Sequence, residues 1–213
     1  SVLKSFAKGE IDILLGTQMI AKGLDFPNTT LVGIINSDLG LYLPDFRSGE
    51  RIFQLIYQAS GRAGRKNKPG EVVIQSFVPE NSIISMASKL DVIEYYDYEL
   101  KEREYLNYPP YSWLVKIEIT GIKEFSVNKI SNKIVKKLDN KFEGLEILGP
   151  APCFLEKVKK RYRYQIVLKS LKTNDQNGKL LHKFVDENIS SFKKQYPLKQ
   201  NRINIHFDPL SLI

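Results

Sequence analysis

The sequence predicts an α/β protein in two parts: a parallel sheet with helices, then a small α+β domain with the element order of a split βαβ unit. Three observations carry this prediction. In the first half, short apolar runs ended by polar or turn residues alternate with helical patterns: "IDILLG" (11–16), "LVGIIN" (31–36) and "EVVIQSF" (71–77). That alternation is the pattern of a parallel sheet covered on both faces. Beyond "NYPPY" (107–111) the order becomes strand, helix, strand, strand, helix, strand. The charge changes sign at the same place. Residues 1–107 hold 12 Lys and Arg against 14 Asp and Glu, a balance of −2, and residues 108–213 hold 20 against 10, a balance of +10.

The elements follow in order. The runs at 11–16 and 31–36 are too short for core helices and read as buried strands. After Pro44, Phe46, Ile52, Phe53, Leu55, Ile56 and Ala59 recur at three- and four-residue spacing, a helix that ends at the glycines of "QASGRAGR" (58–65). "EVVIQSF" is a third buried strand. "PENSIISMASKL" opens another helix, with Asn81 and Ser82 as N-cap candidates, and Asp91 caps a further helix over 91–106. The paired prolines stop that helix and set the domain boundary between 107 and 108. In the second domain "WLVKIEIT" alternates as a strand, and residues 125–142 form a helix with Ile130, Ile134, Val135 and Leu138 on one face. "LEILG" is a short strand, "RYRYQIVL" a longer one, "GKLLHKFVDENISSFKKQY" a helix and "RINIHFD" the closing strand.

Composition narrows the function. The apolar and aromatic content, 42% and 11%, suffices for a real core. No apolar run approaches the roughly 20 residues of a membrane helix, and the start shows no signal peptide. Cys153 is the sole cysteine, which excludes an internal disulfide and a multi-cysteine zinc site and fits a reducing cytoplasm. The basic second half points to a polyanion, nucleic acid or an acidic peptide; a lysine-rich surface kept soluble by charge has the same composition.

Three stretches can carry chemistry. "GTQMIAKGLDFP" (16–27) follows the first strand, where ligands of open α/β sheets bind. Thr17, Gln18, Lys22 and Asp25, with Gly16 and Gly23 for flexibility, suit a phosphate backbone or a ribose; an ordinary loop with a short helix stopped by Gly23 uses the same residues. In "QASGRAGR", Arg62 and Arg65 stand in a glycine-rich turn. Guanidinium groups grip phosphate oxygens bidentately, and an arginine at a γ-phosphate raises phosphoryl-transfer rates about a thousandfold or more. A helix C-terminus also favours Arg and Gly without any ligand. In "KVKKRYRYQIVLK" (157–169), strand periodicity puts Arg161, Arg163 and Gln165 on one face and Tyr162, Tyr164, Ile166 and Leu168 on the other. The apolar face belongs to the core, and the cationic face, fed by Lys157, Lys159 and Lys160, is solvated or binds an anion. Trp113 reads as packing, Cys153 as a packed side chain, and neither His182 nor His206 has a partner that suggests catalysis.

The first two stretches, some forty residues apart with a strand and a long helix between them, resemble the last two motifs of superfamily 2 helicases. The detail is closer still. "DILLGTQMIAKGLDFPNTTLVGIINSD", "DFRSGERIFQLIYQASGRAGR" and "GEVVIQSFVPE", continued by "LNYPPYSWLVKIEI", "LGPAPC", "KRYRYQIVLKS" and "DPLSL", resemble the primosomal replication-restart DNA helicases (the primosomal protein N′ family) over essentially the whole chain.

The resemblance implies part of a RecA-like second helicase lobe in residues 1–107 and a DNA- and partner-binding terminal domain in 108–213. It implies that Arg62 and Arg65 are an arginine-finger pair facing the γ-phosphate of ATP, that Gln58 helps place it, and that Gly23 and Asp25 lie near the ribose. Thr17, Gln18 and Lys22 match positions that couple the nucleotide cleft to the DNA strand. The phosphate loop, the Mg²⁺-binding acidic motif and the family's zinc-binding cysteines have no counterpart in this sequence, so ATP and Mg²⁺ would be held mainly by another lobe and the chain alone is expected to turn over no ATP. Arg161 and Gln165 match a pair that helps bind the acidic carboxy-terminal tail of single-stranded DNA-binding protein. Fork and single-stranded DNA and other primosome proteins are the further partners implied, in a bacterial cytoplasm at the nucleoid, with no membrane. A non-catalytic nucleic-acid-binding scaffold is the alternative function.

Overall fold

The computed structural model describes residues 1–17, 19, 26, 28–64, 69–139 and 141–213. The chain divides into two compact units, one of Ser1–Leu43 with Arg47–Glu99, the other of Pro44–Phe46 with Leu100–Ile213.

In the first unit, α1 (Val2–Lys8) ends at Gly9 in the left-handed conformation. Strands β1 (Leu31–Ile34) and β2 (Glu71–Ile74) pair in parallel, with Leu31 opposite Glu71 and Ile34 opposite Ile74. Between them run a 3-10 turn (Ser37–Gly40) and α2 (Ser48–Ser60). The apolar spacing of α2 has the expected consequence: Ile52, Phe53 and Ile56 are buried against Met86 and Ala87 of α3 (Ser82–Lys89) and Tyr95 of α4 (Val92–Tyr105), with the Phe53 and Tyr95 rings stacked at 3.9 Å. Asn81 caps α3 through the Ile83 N–H, and Asp91 caps α4 through the Glu94 N–H.

Three expectations fail in this unit. Residues 11–16 form no strand, and Ile13 and Leu15 are 82% and 84% exposed. An apolar run signals burial but names no partner, and a strand needs one for its N–H and C=O groups; among the described residues the sheet holds β1 and β2 only. These two strands are half-exposed rather than covered on both faces, with Leu31 and Val73 facing outward. Phe46 lies outside α2 and stacks instead on Tyr108, within the second unit.

The second unit is a four-stranded antiparallel sheet with the order β4 (Leu145–Val158), β5 (Arg161–Leu171), β3 (Ser112–Gly121), β6 (Arg202–Phe207). Helices α5 (Glu124–Lys137) and α6 (Lys179–Gln195) connect β3 to β4 and β5 to β6. This is the split βαβ topology. Alternate residues of β3 and β5 (Val115, Ile117, Ile119, Tyr164, Ile166, Leu168) join Val127 and Ile134 of α5 and Leu181, Val185, Ile189 and Phe192 of α6 in one core. Tyr162 and Trp113 pack at its edge, as expected of them. The fourteen residues of β4 replace the short strand expected at "LEILG". The alternation was hidden by two register shifts, at Gly149–Pro150 and at residues 153–156. Among the described residues no helix is long and apolar enough to cross a membrane.

Candidate functional site

Each unit offers one candidate site. In the first, burial of Ile56 and Ala59 fixes the last turn of α2, which leaves Gln58 exposed. Gly61 ends the helix, its N–H bonded to the Tyr57 carbonyl. The chain then folds back: the Arg62 N–H reaches the Ala59 carbonyl at 3.0 Å and the Ala63 N–H the Ser60 carbonyl at 3.2 Å. Gly64, at a φ of 70°, donates to the Thr29 carbonyl just before β1. A left-handed residue there suits glycine. Gly70 passes so close beneath this turn that a Cβ would lie 2.1 Å from the Gly64 nitrogen. The turn that carries Arg62 is therefore tied at both ends, and Arg62 is half-buried. Gln58 and Arg62 flank the same helix end. Thr17 is exposed in irregular chain. Gln18, Lys22, Gly23, Asp25 and Arg65 lie outside the described residues.

In the second unit the site is the sheet face turned away from the helices. Cross-strand partners share a face, so Glu118 and Thr120 of β3 stand with Gln165 and Arg163 of β5 and with Asn204 and Arg202 of β6. One end of this face is closed by irregular chain. Lys116, 4% exposed, donates to the Leu212 carbonyl at 2.8 Å. Lys169, 5% exposed, donates to the Leu106 carbonyl at 2.9 Å, lies 4.1 Å from the Tyr108 ring centre and pairs with Glu146 at 3.4 Å. The two buried amines thus have acceptors in place of water. Burial, with smaller contributions from Glu146 and Asp45, pushes the Tyr108 hydroxyl above its ordinary pKa.

The other end of the face holds the residues of interest. Arg163 binds Glu118 Oε2 through Nη2 at 2.6 Å and Nε at 3.2 Å, and its Nη1 reaches the Leu155 carbonyl at 3.4 Å. The hydrogen bond to Glu118 raises the Arg163 pKa above its already high ordinary value, partly offset by burial. Residues 153–156 stand opposite Arg163 as a bulge, and the bond from Arg163 to the Leu155 carbonyl is one tie between the bulge and β5. Arg161 donates through Nη2 to the carbonyls of Gln200 at 2.7 Å and Thr120 at 3.3 Å. Two buried side-chain polar atoms among the described residues have no hydrogen-bond partner: Arg161 Nε and Gln165 Oε1. One is a donor and the other an acceptor. Lys157 does not feed this face as expected; its amine lies over the Tyr162 ring at 4.5 Å and bonds the Tyr162 hydroxyl at 3.3 Å. The sequence reading missed Glu118 and the bulge. Its only hint of Glu118 was a carboxylate at an alternate position of "WLVKIEIT".

Comparison with known proteins matches both halves. The helicase conserved C-terminal domain matches residues 1–67, and the primosomal protein N C-terminal domain matches residues 104–210. The replication restart protein PriA of Bacillus subtilis (strain 168) is 40% identical over 100% of this chain and 26% of its own length. The PriA of Chlamydia trachomatis serovar D is 43% identical over 80% of the chain and 23% of its own length. That of Borreliella burgdorferi is 37% identical over 99% of the chain and 31% of its own length. The chain spans about a quarter of the length of these relatives, at 26% of the Bacillus subtilis protein.

Proposed function

The chain belongs to the PriA family of replication restart helicases, and from that membership we propose that it supplies the nucleotide-sensing half of an ATP-dependent 3′–5′ DNA helicase that recognises stalled or branched replication forks and restarts replication through primosome assembly. Arg62 and Arg65 act as the arginine pair toward the γ-phosphate, with Gln58, Gly23 and Asp25 around the nucleotide and Thr17, Gln18 and Lys22 toward the DNA strand. The observation that carries the reading is the tied glycine turn at Gly61–Gly64 within the matched helicase domain. A guanidinium on a fixed turn can bind a phosphate without first ordering its own backbone. ATP with Mg²⁺, when bound, supplies the phosphoryl group to be transferred; Arg62 and Arg65 contribute positive charge where negative charge develops.

The test uses the full-length protein that contains this chain. Arg62→Ala and Arg65→Ala are each expected to lower ATP turnover about a thousandfold with DNA binding retained. Turnover within tenfold of the unaltered protein would refute the assignment. The chain alone is expected to turn over no ATP.

For the terminal domain, we propose that Arg161 and Gln165 bind the acidic carboxy-terminal tail of single-stranded DNA-binding protein, and that the basic surface of residues 108–213 binds fork DNA. The chemistry of the pair supports the tail reading: a guanidinium suits a carboxylate and a side-chain amide both donates and accepts, so a peptide can match both, whereas a phosphodiester brings acceptors only. Arg161 Nε and Gln165 Oε1 are buried without a partner, so they gain one only when their side chains turn toward a ligand. Titration with a fluorescent acidic peptide tests it. Arg161→Ala is expected to weaken binding about tenfold or more, and unchanged affinity would sink the assignment.

A further inference from the structure

The proposed tail site already contains a carboxylate. Arg161 and Arg163 stand two apart on one strand face, about 7 Å in Cα spacing, which matches alternate side chains of an extended acidic peptide. Arg163 does not face such a ligand freely. Two of its nitrogens are bonded to Glu118, and the pair is largely withdrawn from water, with side chains 18% and 12% exposed. Glu118 is also the direct cross-strand partner of Gln165. A ligand carboxylate that approaches Gln165 therefore meets a like charge, and a ligand that seeks Arg163 meets an occupied guanidinium. Of the two β5 arginines on this face, Arg161 is the one that pairs with no carboxylate among the described residues: its Nη2 donates to the Gln200 and Thr120 carbonyls and its Nε has no hydrogen-bond partner.

We propose that Glu118 is an internal competitor for the acidic segment: it occupies Arg163 in the unbound protein and is displaced by ligand carboxylates, which sets the site's affinity. This rests on the reading of Arg161 and Gln165 as tail contacts. With Glu118 in place, β5 offers Arg161 but not Arg163 to an incoming tail. With Glu118 neutralised, β5 offers both, and the like charge beside Gln165 is gone. Because Arg163 also holds the Leu155 carbonyl, ligand capture of Arg163 would loosen the bulge at residues 153–156, so tail binding and the shape of this edge are linked.

The experiment is a fluorescence-anisotropy titration of the whole chain with a short acidic peptide at two salt concentrations. Four proteins are compared: unaltered, Arg161→Ala, Glu118→Gln and the double variant Glu118→Gln with Arg163→Gln. Arg161→Ala reads the underlying tail assignment on its own. Glu118→Gln is expected to bind about tenfold tighter than the unaltered protein, the worth of one freed charge-assisted contact. The double variant replaces both charges by neutral amides and is expected to return to within about twofold of the unaltered protein. Unchanged or weaker binding by Glu118→Gln overturns the proposal, as does a gain that persists in the double variant. The unaltered protein gives a second readout that needs no substitution: the Arg163 Nε–H nuclear magnetic resonance signal is expected to shift at peptide saturation. A signal that stays in place while the peptide binds also overturns the proposal.

Discussion

Replacing Asp175 tests whether one buried carboxylate holds α6 on the sheet. Its Oδ2 accepts from the Leu181 N–H at 2.9 Å and the Ser170 hydroxyl at 3.4 Å, and its Oδ1 from the Leu180 N–H at 3.2 Å. Gly178 at the helix start brings no side chain, so Asp175 does the capping from three residues upstream. Asp175→Ala removes a helix cap, about 1–2 kcal/mol, and a carboxylate at the positive end of a helix, about 0.5 kcal/mol. It also strands the buried Ser170 hydroxyl, about 1 kcal/mol. The total is about 3 kcal/mol, or a fall of about 12 °C in the melting temperature of this unit. Trp113, the one tryptophan of the chain, donates its indole N–H to the Asp175 carbonyl at 2.8 Å. Its fluorescence therefore follows the melting of this unit without interference from the other. Asp175→Asn keeps an acceptor oxygen and is expected to cost about half as much. A loss below about 1 kcal/mol for Asp175→Ala, or an equal loss for both variants, would show that packing rather than the cap secures α6.

Burial pushes the Cys153 thiol above its ordinary value of 9.0, with Arg163 partly opposing the shift. The folded state favours the protonated thiol, so this contribution is fully present below about pH 9 and is lost as pH rises through the folded value. Native protein is expected to resist alkylation at pH 8 and unfolded protein to react at once, while Cys153→Ala flattens the alkaline loss of stability; fast native alkylation would contradict the burial. Gly70→Ala would drive a Cβ into the Ala63–Gly64 backbone. It is expected to destabilise the first unit by about 1–3 kcal/mol and, through a displaced Arg62, to lower ATP turnover of the full-length protein; normal turnover and stability would mean that the turn is not tied as described.

Legibility in the sequence followed the physics of each half. Helices such as α2, α5 and α6 were readable because each buries one stripe, as Ile52, Phe53 and Ile56 do in α2, whereas α1 buries no residue and was not foreseen. Strands β3, β5 and β6 were readable because apolar residues such as Val115, Ile117 and Ile119 recur at every second position and enter the core under the helices. Strand β4 was not, since Gly149–Pro150 and the bulge at 153–156 shift its register and break the alternation. The run at 11–16 misled for the opposite reason: its apolarity is real, but partner choice is not encoded locally, and Ile13 and Leu15 remain exposed.

The same distinction governs the sites. Arg62 stood out because the turn that holds it is local, built from glycines within one short stretch, whereas Gln58 was singled out by the family resemblance. Strand period alone puts Arg161, Arg163 and Gln165 on one face, but only the family resemblance singled out Arg161 and Gln165; these two hold the unmatched buried atoms among the described residues. Glu118 lies 45 residues from Arg163, and only the pairing of β3 with β5 brings them together. A cationic face read from one strand was therefore too positive by one charge. The missing charge matters more than its size suggests: a site of two arginines would hold any acidic segment. With a carboxylate already on one of them, the proposed site would reward a ligand that can fill Arg161, supply a donor to Gln165 and still outcompete Glu118.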